Sequence, residues 1–190
     1  NQCNNLDVSH FMIKLFFDKT VSLIILLFIL PVLVFISLVT IIIDGLPFTF
    51  SAKRVGLRGN IFYIYKFRSM SKDSNKILGK WGSFIRKTNL DELPQFINVM
   101  KGDMSIIGPR PHDVEEDSYF EKNIKNYYLR RSIKPGITGL AQIRGNRGGS
   151  DIRVIKNRVK HDLEYIENQS FLLDVKIFIK TVSLIFKPNH

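Results

Sequence analysis

The longest feature in the hydrophobic pattern runs from Val21 to Ile43, which is apolar except for Ser22, Ser37 and Thr40. At 1.5 Å per residue such a run makes a helix of about 35 Å, long enough to cross the hydrocarbon core of a bilayer. It has no small-residue cleavage site and is too long for a convincing signal peptide. Length alone predicts a single transmembrane helix. Pro31, near the middle, removes a backbone donor, frees the carbonyl of Leu27 and predicts a kink. Asp7, Lys14, Asp18 and Lys19 precede the run, and Lys53, Arg54 and Arg58 follow it, so the charge asymmetry is small. A bent helix that enters and leaves by the same leaflet fits both facts.

After Asp44-Gly45-Leu46-Pro47 the pattern shortens. Phe48 to Phe67 mixes aromatic and β-branched residues with turns at Gly56 and Gly59-Asn60, and Phe62-Tyr63-Ile64-Tyr65 reads as a strand. Residues 71–80 read as a loop, and Trp81 to Lys87 as a short helix with Trp81, Phe84 and Ile85 on one face. Leu93, Phe96, Ile97 and Met100 fall at i, i+3, i+4 and i+7, a helical face that Gly102 stops. Asp117 to Arg131 reads as helix, and the glycine-rich Pro135 to Gly149 as loop. Asp151 to Asn168 predicts a helix with Ile152, Ile155, Val159 and Ile166 roughly on one side. From Phe171 to Phe186 an apolar face opposes Lys176, Lys180 and Lys187. That pattern suits either a helix lying in an anionic membrane surface or one packed on a core with solvated lysines.

Composition narrows the partners. The chain has 190 residues and a net charge of +11, which points to polyanions: nucleic acid, anionic lipid or phosphorylated substrates. The single cysteine, Cys3, excludes a disulfide framework and a cysteine-based zinc site, and fits a reducing compartment.

The chemistry concentrates between Thr88 and Pro111. Asp91 and Glu92 stand just before Pro94, a residue tolerated in the first turn of a helix. The pair is therefore expected at a helix start, where the dipole favours ionised carboxylates that can attack an electrophile or hold a metal. Acidic residues are also ordinary caps there, and Thr88 with Asp91 fits a capping box. Arg86 and Lys87 before the pair, and Gly108-Pro109-Arg110-Pro111 after it, weigh toward chemistry.

The run Leu90-Asp91-Glu92-Leu93-Pro94-Gln95, then Lys101-Gly102-Asp103-Met104-Ser105 and Gly108-Pro109-Arg110-Pro111, resembles the bacterial sugar transferase family, the monotopic phosphoglycosyl transferases. Tyr65-Lys66-Phe67-Arg68-Ser69-Met70, Lys134 to Gly139, Ala141-Gln142 and Asp162 to Ile166 match as well, in the family's order. The resemblance covers nearly the whole chain. It implies a mainly helical α+β fold in two parts: residues 11–44 as a re-entrant membrane helix broken at Pro31, and residues 45–190 as a cytoplasmic catalytic domain with short strands and interfacial helices.

The resemblance also implies a reaction. A sugar-1-phosphate passes from a UDP-sugar, a hexose such as glucose or galactose, to polyprenyl phosphate at the bacterial inner membrane. Exopolysaccharide, capsule or glycan assembly starts there, with glycosyltransferases acting downstream. Asp91 is then the nucleophile, Glu92 the ligand of Mg²⁺, and Lys66, Arg68, Arg86, Arg110 and Arg147 the phosphate-binding cations. Asp162 falls in a matched motif and is either near metal and substrate or in a structural salt bridge. Longer members carry further N-terminal membrane helices, and a chain beginning at Asn1 fits a fragment of one. The competing reading is a membrane-tethered basic module for anionic lipid or nucleic acid. Its basic residues are scattered, and no nucleic-acid motif stands among them, so no nucleic-acid partner is expected.

Overall fold

The computed structural model describes residues 2–71, 76–146, 149 and 151–185. Helix α1 (Gln2–Asp44) holds the apolar run, carries Pro31 inside it and is helical on both sides of it. Gly45 ends it with φ 66°, a left-handed conformation that glycine adopts without strain. The stretch Met12–Asp44 is long and apolar enough to cross a membrane, an 18-residue window within it having a mean hydropathy of 3.1. Most of its surface is bare: Phe28 is 81% and Ile42 82% exposed.

One stripe of α1 is nonetheless packed along its length. Near the N-terminal end, Lys14 Nζ donates to Asp174 Oδ2 at 2.6 Å, and Asp18 accepts from the backbone of Ile106 at 3.1 Å. Near the other end, Ile36 is buried with Phe67 and Ile85, and Trp81 Nε1 donates to Thr40 Oγ1 at 3.1 Å. The same domain is thus touched on both sides of Pro31.

The next elements form a hairpin, of which the sequence marks the second strand and the turn. Strands β1 (Thr49–Val55) and β2 (Ile61–Phe67) pair antiparallel, Thr49 opposite Phe67 and Val55 opposite Ile61. Along β2, Phe62 and Ile64 point inward, and the period of two sets Lys66 on their side. Helix α2 (Gly79–Lys87), a single turn at Leu90–Glu92 and helix α3 (Gln95–Lys101) follow. Gly102 stops α3 with φ 89°, as the sequence predicts. The buried face of α3 is a correction: Gln95, Asn98 and Val99 are buried, while Ile97 is 43% exposed. The reason is tertiary. Asn98 donates to Tyr63 O at 2.7 Å and accepts from Tyr65 N at 3.0 Å, so a polar side chain ties α3 to the edge of β2.

Strands β3 (Ser105–Ile107) and β4 (Gly136–Thr138) pair in parallel, Ile107 opposite Thr138. Between them lie α4 (Val114–Asn123) and a tight helical stretch at Tyr127–Ser132. The one helix expected over Asp117 to Arg131 is therefore two pieces, divided where Ile124 turns extended and Asn126 takes φ 62°. The glycine-rich segment also gains structure: β4 and the short helix α5 (Leu140–Ile143). Helices α6 (Ile152–Glu167) and α7 (Phe171–Ile185) close the chain, α6 capped by the Asp151 side chain. The architecture is a mostly helical α+β fold with two small sheets.

Helix α7 packs on the core, one of its two expected readings. Ile177 is fully buried in the main core with Phe62, Val99, Met104 and Tyr165, yet Leu172 is 72% and Ile179 62% exposed. It packs through one stripe and leaves a second apolar stripe bare.

Candidate active site

The local chain geometry around Asp91 and Glu92 differs from a helix start. Thr88 ends α2, its hydroxyl donating back to Phe84 O at 2.8 Å and Ile85 O at 3.3 Å, so the capping box with Asp91 is not formed. Asn89 takes φ 56° and turns the chain into the single turn Leu90–Glu92. Pro94 then caps α3. The two carboxylates therefore sit one turn ahead of a short helix, not inside its first turn.

Their surroundings are unequal. Glu92 accepts from Lys66 Nζ at 2.7 Å on Oε1 and from the two terminal guanidinium nitrogens of Arg110, at 2.6 Å on Oε1 and 3.1 Å on Oε2. Burial alone would raise its pKa, but the charges and hydrogen bonds of Arg110 and Lys66 overcome that and hold it at about 2. Asp91 forms no ion pair within 4 Å among the described residues. Burial, and then the neighbouring charge of Glu92, push its pKa above the ordinary 3.8, against the milder pull of Lys66 and Arg86. This corrects the expectation that a helix dipole favours ionisation of both acids. The turn precedes the helix, and Asp91 and Glu92 are shifted in opposite directions by burial and by their charged neighbours.

Arg110 is positioned from behind. Its own carbonyl accepts from Arg130 at 2.8 Å, and Arg130 Nε donates to Asp162 Oδ2 at 2.7 Å. His112 lies in the same buried layer. Its Nδ1 is 2.5 Å from the Tyr127 hydroxyl and 3.1 Å from Arg130, and its Nε2 is 3.1 Å from Arg158. Burial, followed by the charges of Arg130 and Arg158, lowers its pKa to about 2, so the ring is neutral.

The cavity beside the acidic turn measures about 390 Å³. Glu92, Arg110, Thr138, Gln142 and Thr181 give it polar points, and Ile25 of α1, Phe96 of α3 and Phe178 of α7 give it apolar walls. Two strand ends build the polar side. Gly108 N bonds Thr138 O at 2.8 Å, and a Cβ on Gly139 would come within 2.3 Å of Gly108 O. Only glycines allow the β3 end that carries Arg110 to lie this close to the β4 end that leads to Gln142.

Chemically, the turn offers a partly desolvated carboxylate with no ion pair, beside a carboxylate clamped by two cations. The first suits covalent attack, and the cations suit an anionic electrophile. For a divalent cation the donor set is sparse: no group of three His, Cys, Asp or Glu side chains gathers among the described residues. Glu92 Oε2 nevertheless carries one hydrogen bond and keeps an acceptor position open. That fits Mg²⁺, which binds through one or two carboxylates and takes the remaining ligands from phosphates and water.

Residues 9–188 match the family model described as bacterial sugar transferase. The chain belongs to this family. It is 43% identical over 177 residues to the UDP-glucose:undecaprenyl-phosphate glucose-1-phosphate transferase of Escherichia coli (strain K12), covering 87% of this chain and 38% of that protein. It is 39% identical over 178 residues to the protein of that name in Xanthomonas campestris pv. campestris, covering 86% of this chain and 37% of the relative. A UDP-N-acetylgalactosamine-undecaprenyl-phosphate N-acetylgalactosaminephosphotransferase of Aeromonas hydrophila is 42% identical over 151 residues, 73% of this chain and 35% of that protein. The chain thus spans little more than a third of the length of these relatives.

Within this member of the family, Asp91, Glu92, Lys66 and Arg110 come together, and the Arg86 charge acts on Asp91 from the exposed end of α2. Arg68 stands elsewhere: it donates to the carbonyls of Asp44 and Gly45 at 2.8 and 2.7 Å, satisfying the end of α1. Asp162 is in the buried pair with Arg130, two steps behind Arg110. Arg147 lies outside the described residues. Sequence reasoning passed over Arg130 and the cavity face of Gln142. Gln142 stood inside a matched motif, which was its only signal, and Arg130 had none.

Proposed function

We propose that this chain transfers a sugar-1-phosphate from a UDP-sugar to polyprenyl phosphate through a covalent intermediate on Asp91. The sugar is a hexose such as glucose or galactose. The observation that carries the reading is the inequality of the acidic pair: Glu92 is clamped by Lys66 and Arg110, while Asp91 beside it forms no ion pair among the described residues. In the first step an Asp91 carboxylate oxygen attacks the β-phosphorus, the bond from that phosphorus to the bridging oxygen breaks, and UMP leaves with the electron pair. In the second step a phosphate oxygen of the acceptor attacks the same phosphorus, releasing Asp91 and forming polyprenyl diphosphate-sugar. Arg110, Lys66 and Arg86 hold the phosphate oxygens through both steps. Glu92 would hold Mg²⁺, which would supply screening of the phosphate charge. The relatives named for undecaprenyl-phosphate transfer support this reading, and no observation favours a tethered lipid- or nucleic-acid-binding module.

The membrane arrangement follows the same reasoning. A straight span would carry one half of α1 away from the domain across the bilayer. Instead Lys14 and Asp18 on one side of Pro31, and Ile36 and Thr40 on the other, all touch it. This supports a re-entrant helix at the cytoplasmic face of the inner membrane, with the bare stripe of α7 beside it.

Purified protein in mixed micelles, given polyprenyl phosphate, Mg²⁺ and a panel of UDP-sugars, is expected to release UMP from one or a few hexoses. With the acceptor omitted, intact mass should rise by one sugar phosphate. Release of UDP, or no adduct under any donor, would overturn the covalent reading. A cysteine at Asn5 in a Cys3→Ser background should resist an impermeant thiol reagent on intact cells; labelling would mean a true span.

A further inference from the structure

Gln142 is 4% exposed, lines the cavity, and leaves both Oε1 and Nε2 without a hydrogen-bond partner among the described residues. Buried side-chain amides are normally bonded, and a buried amide orphaned at both ends is destabilising unless something else uses it. We propose that Gln142 recognises the transferred sugar by hydrogen-bonding hydroxyl groups of its ring. The inference rests on the reading above for the identity of the substrate, and adds where its sugar lies.

The chemistry of the amide selects among the groups the reaction brings. A hydroxyl both donates and accepts, so two hydroxyls, or one hydroxyl and a ring oxygen, satisfy Oε1 and Nε2 together. A phosphate only accepts. It would engage Nε2 and set an oxygen against Oε1. An isoprenoid tail has no polar atoms and would leave both ends orphaned. Because both atoms are free, the choice does not depend on which way the amide is turned.

The position suits the role. Gln142 is in α5, directly after the β4 end that the glycines hold against the β3 end bearing Arg110. Phosphates on Arg110 would therefore put an attached sugar toward this wall. Thr138 and Thr181, bonded to each other at 2.8 Å, line the same cavity and provide further hydroxyls. Phe178 on α7 offers an apolar surface for the carbon face of a ring.

The test measures binding with chemistry blocked, so that it reads Gln142 separately from the reaction itself. In an Asp91→Asn background, titration should show the UDP-sugar binding more tightly than UDP. Adding Gln142→Met should weaken UDP-sugar binding by about 10–100-fold and leave UDP unchanged, the loss expected for one or two hydrogen bonds to the sugar. The thermal midpoint of Gln142→Met should stay level or rise, because an apolar side chain of similar size replaces an orphaned amide. If the Met variant does not fold, Gln142→Asn, which withdraws the amide by one methylene, should give the same selective loss. Equal losses for UDP-sugar and UDP, unchanged binding of both, or weaker polyprenyl-phosphate binding instead would each overturn the assignment. Selective loss of sugar binding in a protein whose parent releases no UMP would count against the proposed reaction and leave the sugar site standing.

Discussion

Two charged clusters lie back to back in this protein, and they are built to opposite ends. The rear one contains Asp162, Arg130, His112, Tyr127 and Asp117, all buried and joined by a continuous run of hydrogen bonds. The front one contains Asp91, Glu92, Lys66 and Arg110, half-buried beside a cavity, and one of its two carboxylates has no ion pair among the described residues. The rear cluster neutralises its charges and so fixes geometry. The front one keeps a carboxylate whose charge is opposed by burial and by its neighbour. Arg110 joins the two: its side chain serves the front, and its carbonyl is held by the rear. Reactivity is kept where a charge is left without a close partner, and rigidity where none is.

The largest expected effect breaks the front cluster. Asp91→Asn should lower transfer on the order of 10⁴-fold or more, the scale of removing a nucleophile, and should abolish the sugar-phosphate adduct. Intact-mass spectrometry decides: an adduct on the Asn variant would move the covalent role to another residue.

Breaking the rear cluster should instead act on folding. Asp162→Ala leaves Arg130 buried without its carboxylate, which costs about 3–5 kcal/mol. Urea denaturation measures this directly. A variant as stable as the parent would mean that the rear network does not hold the fold.

Glu92→Gln tests the clamp. It should reduce kcat by about 10²–10³-fold and flatten the response to Mg²⁺, since Lys66 and Arg110 lose their counter-charge and a neutral amide binds a hard cation poorly. Full activity with an unchanged Mg²⁺ titration would remove Glu92 from the site.

The smallest effect separates the clusters by pH. His112 ordinarily titrates near 6.5 but is held at about 2 in the fold, so between those values only the unfolded chain takes up the proton. Its contribution is complete above pH 6.5 and is lost as pH falls, at about 1.4 kcal/mol per pH unit. Glu92, held at about 2 against an ordinary 4.5, adds a second loss only below 4.5. His112→Gln should therefore remove the decline between pH 6.5 and 4.5 and keep the one below it. Denaturant midpoints across that range show it. An unaltered slope in the variant would mean that another group carries the proton.

What the sequence determined by itself was whatever depends on neighbours along the chain. The apolar run, the strand at 62–65 with the glycine turns before it, the stop at Gly102, and the helices over 152–167 and 171–185 were all legible, because periodicity and capping are local. The acidic pair stood out for its sequence company. The tertiary structure decided what those residues face. It turned α3 so that Asn98, not Ile97, is buried, and it sent Arg68 to the end of α1. It brought Lys66 and Arg110, 26 and 18 positions from Glu92, onto one carboxylate, and so made two adjacent acids unlike. It also left Gln142 buried with its amide unused. Burial and charge pairing across long sequence separations set the pKa and the partners of each side chain, and no local pattern in the chain records them.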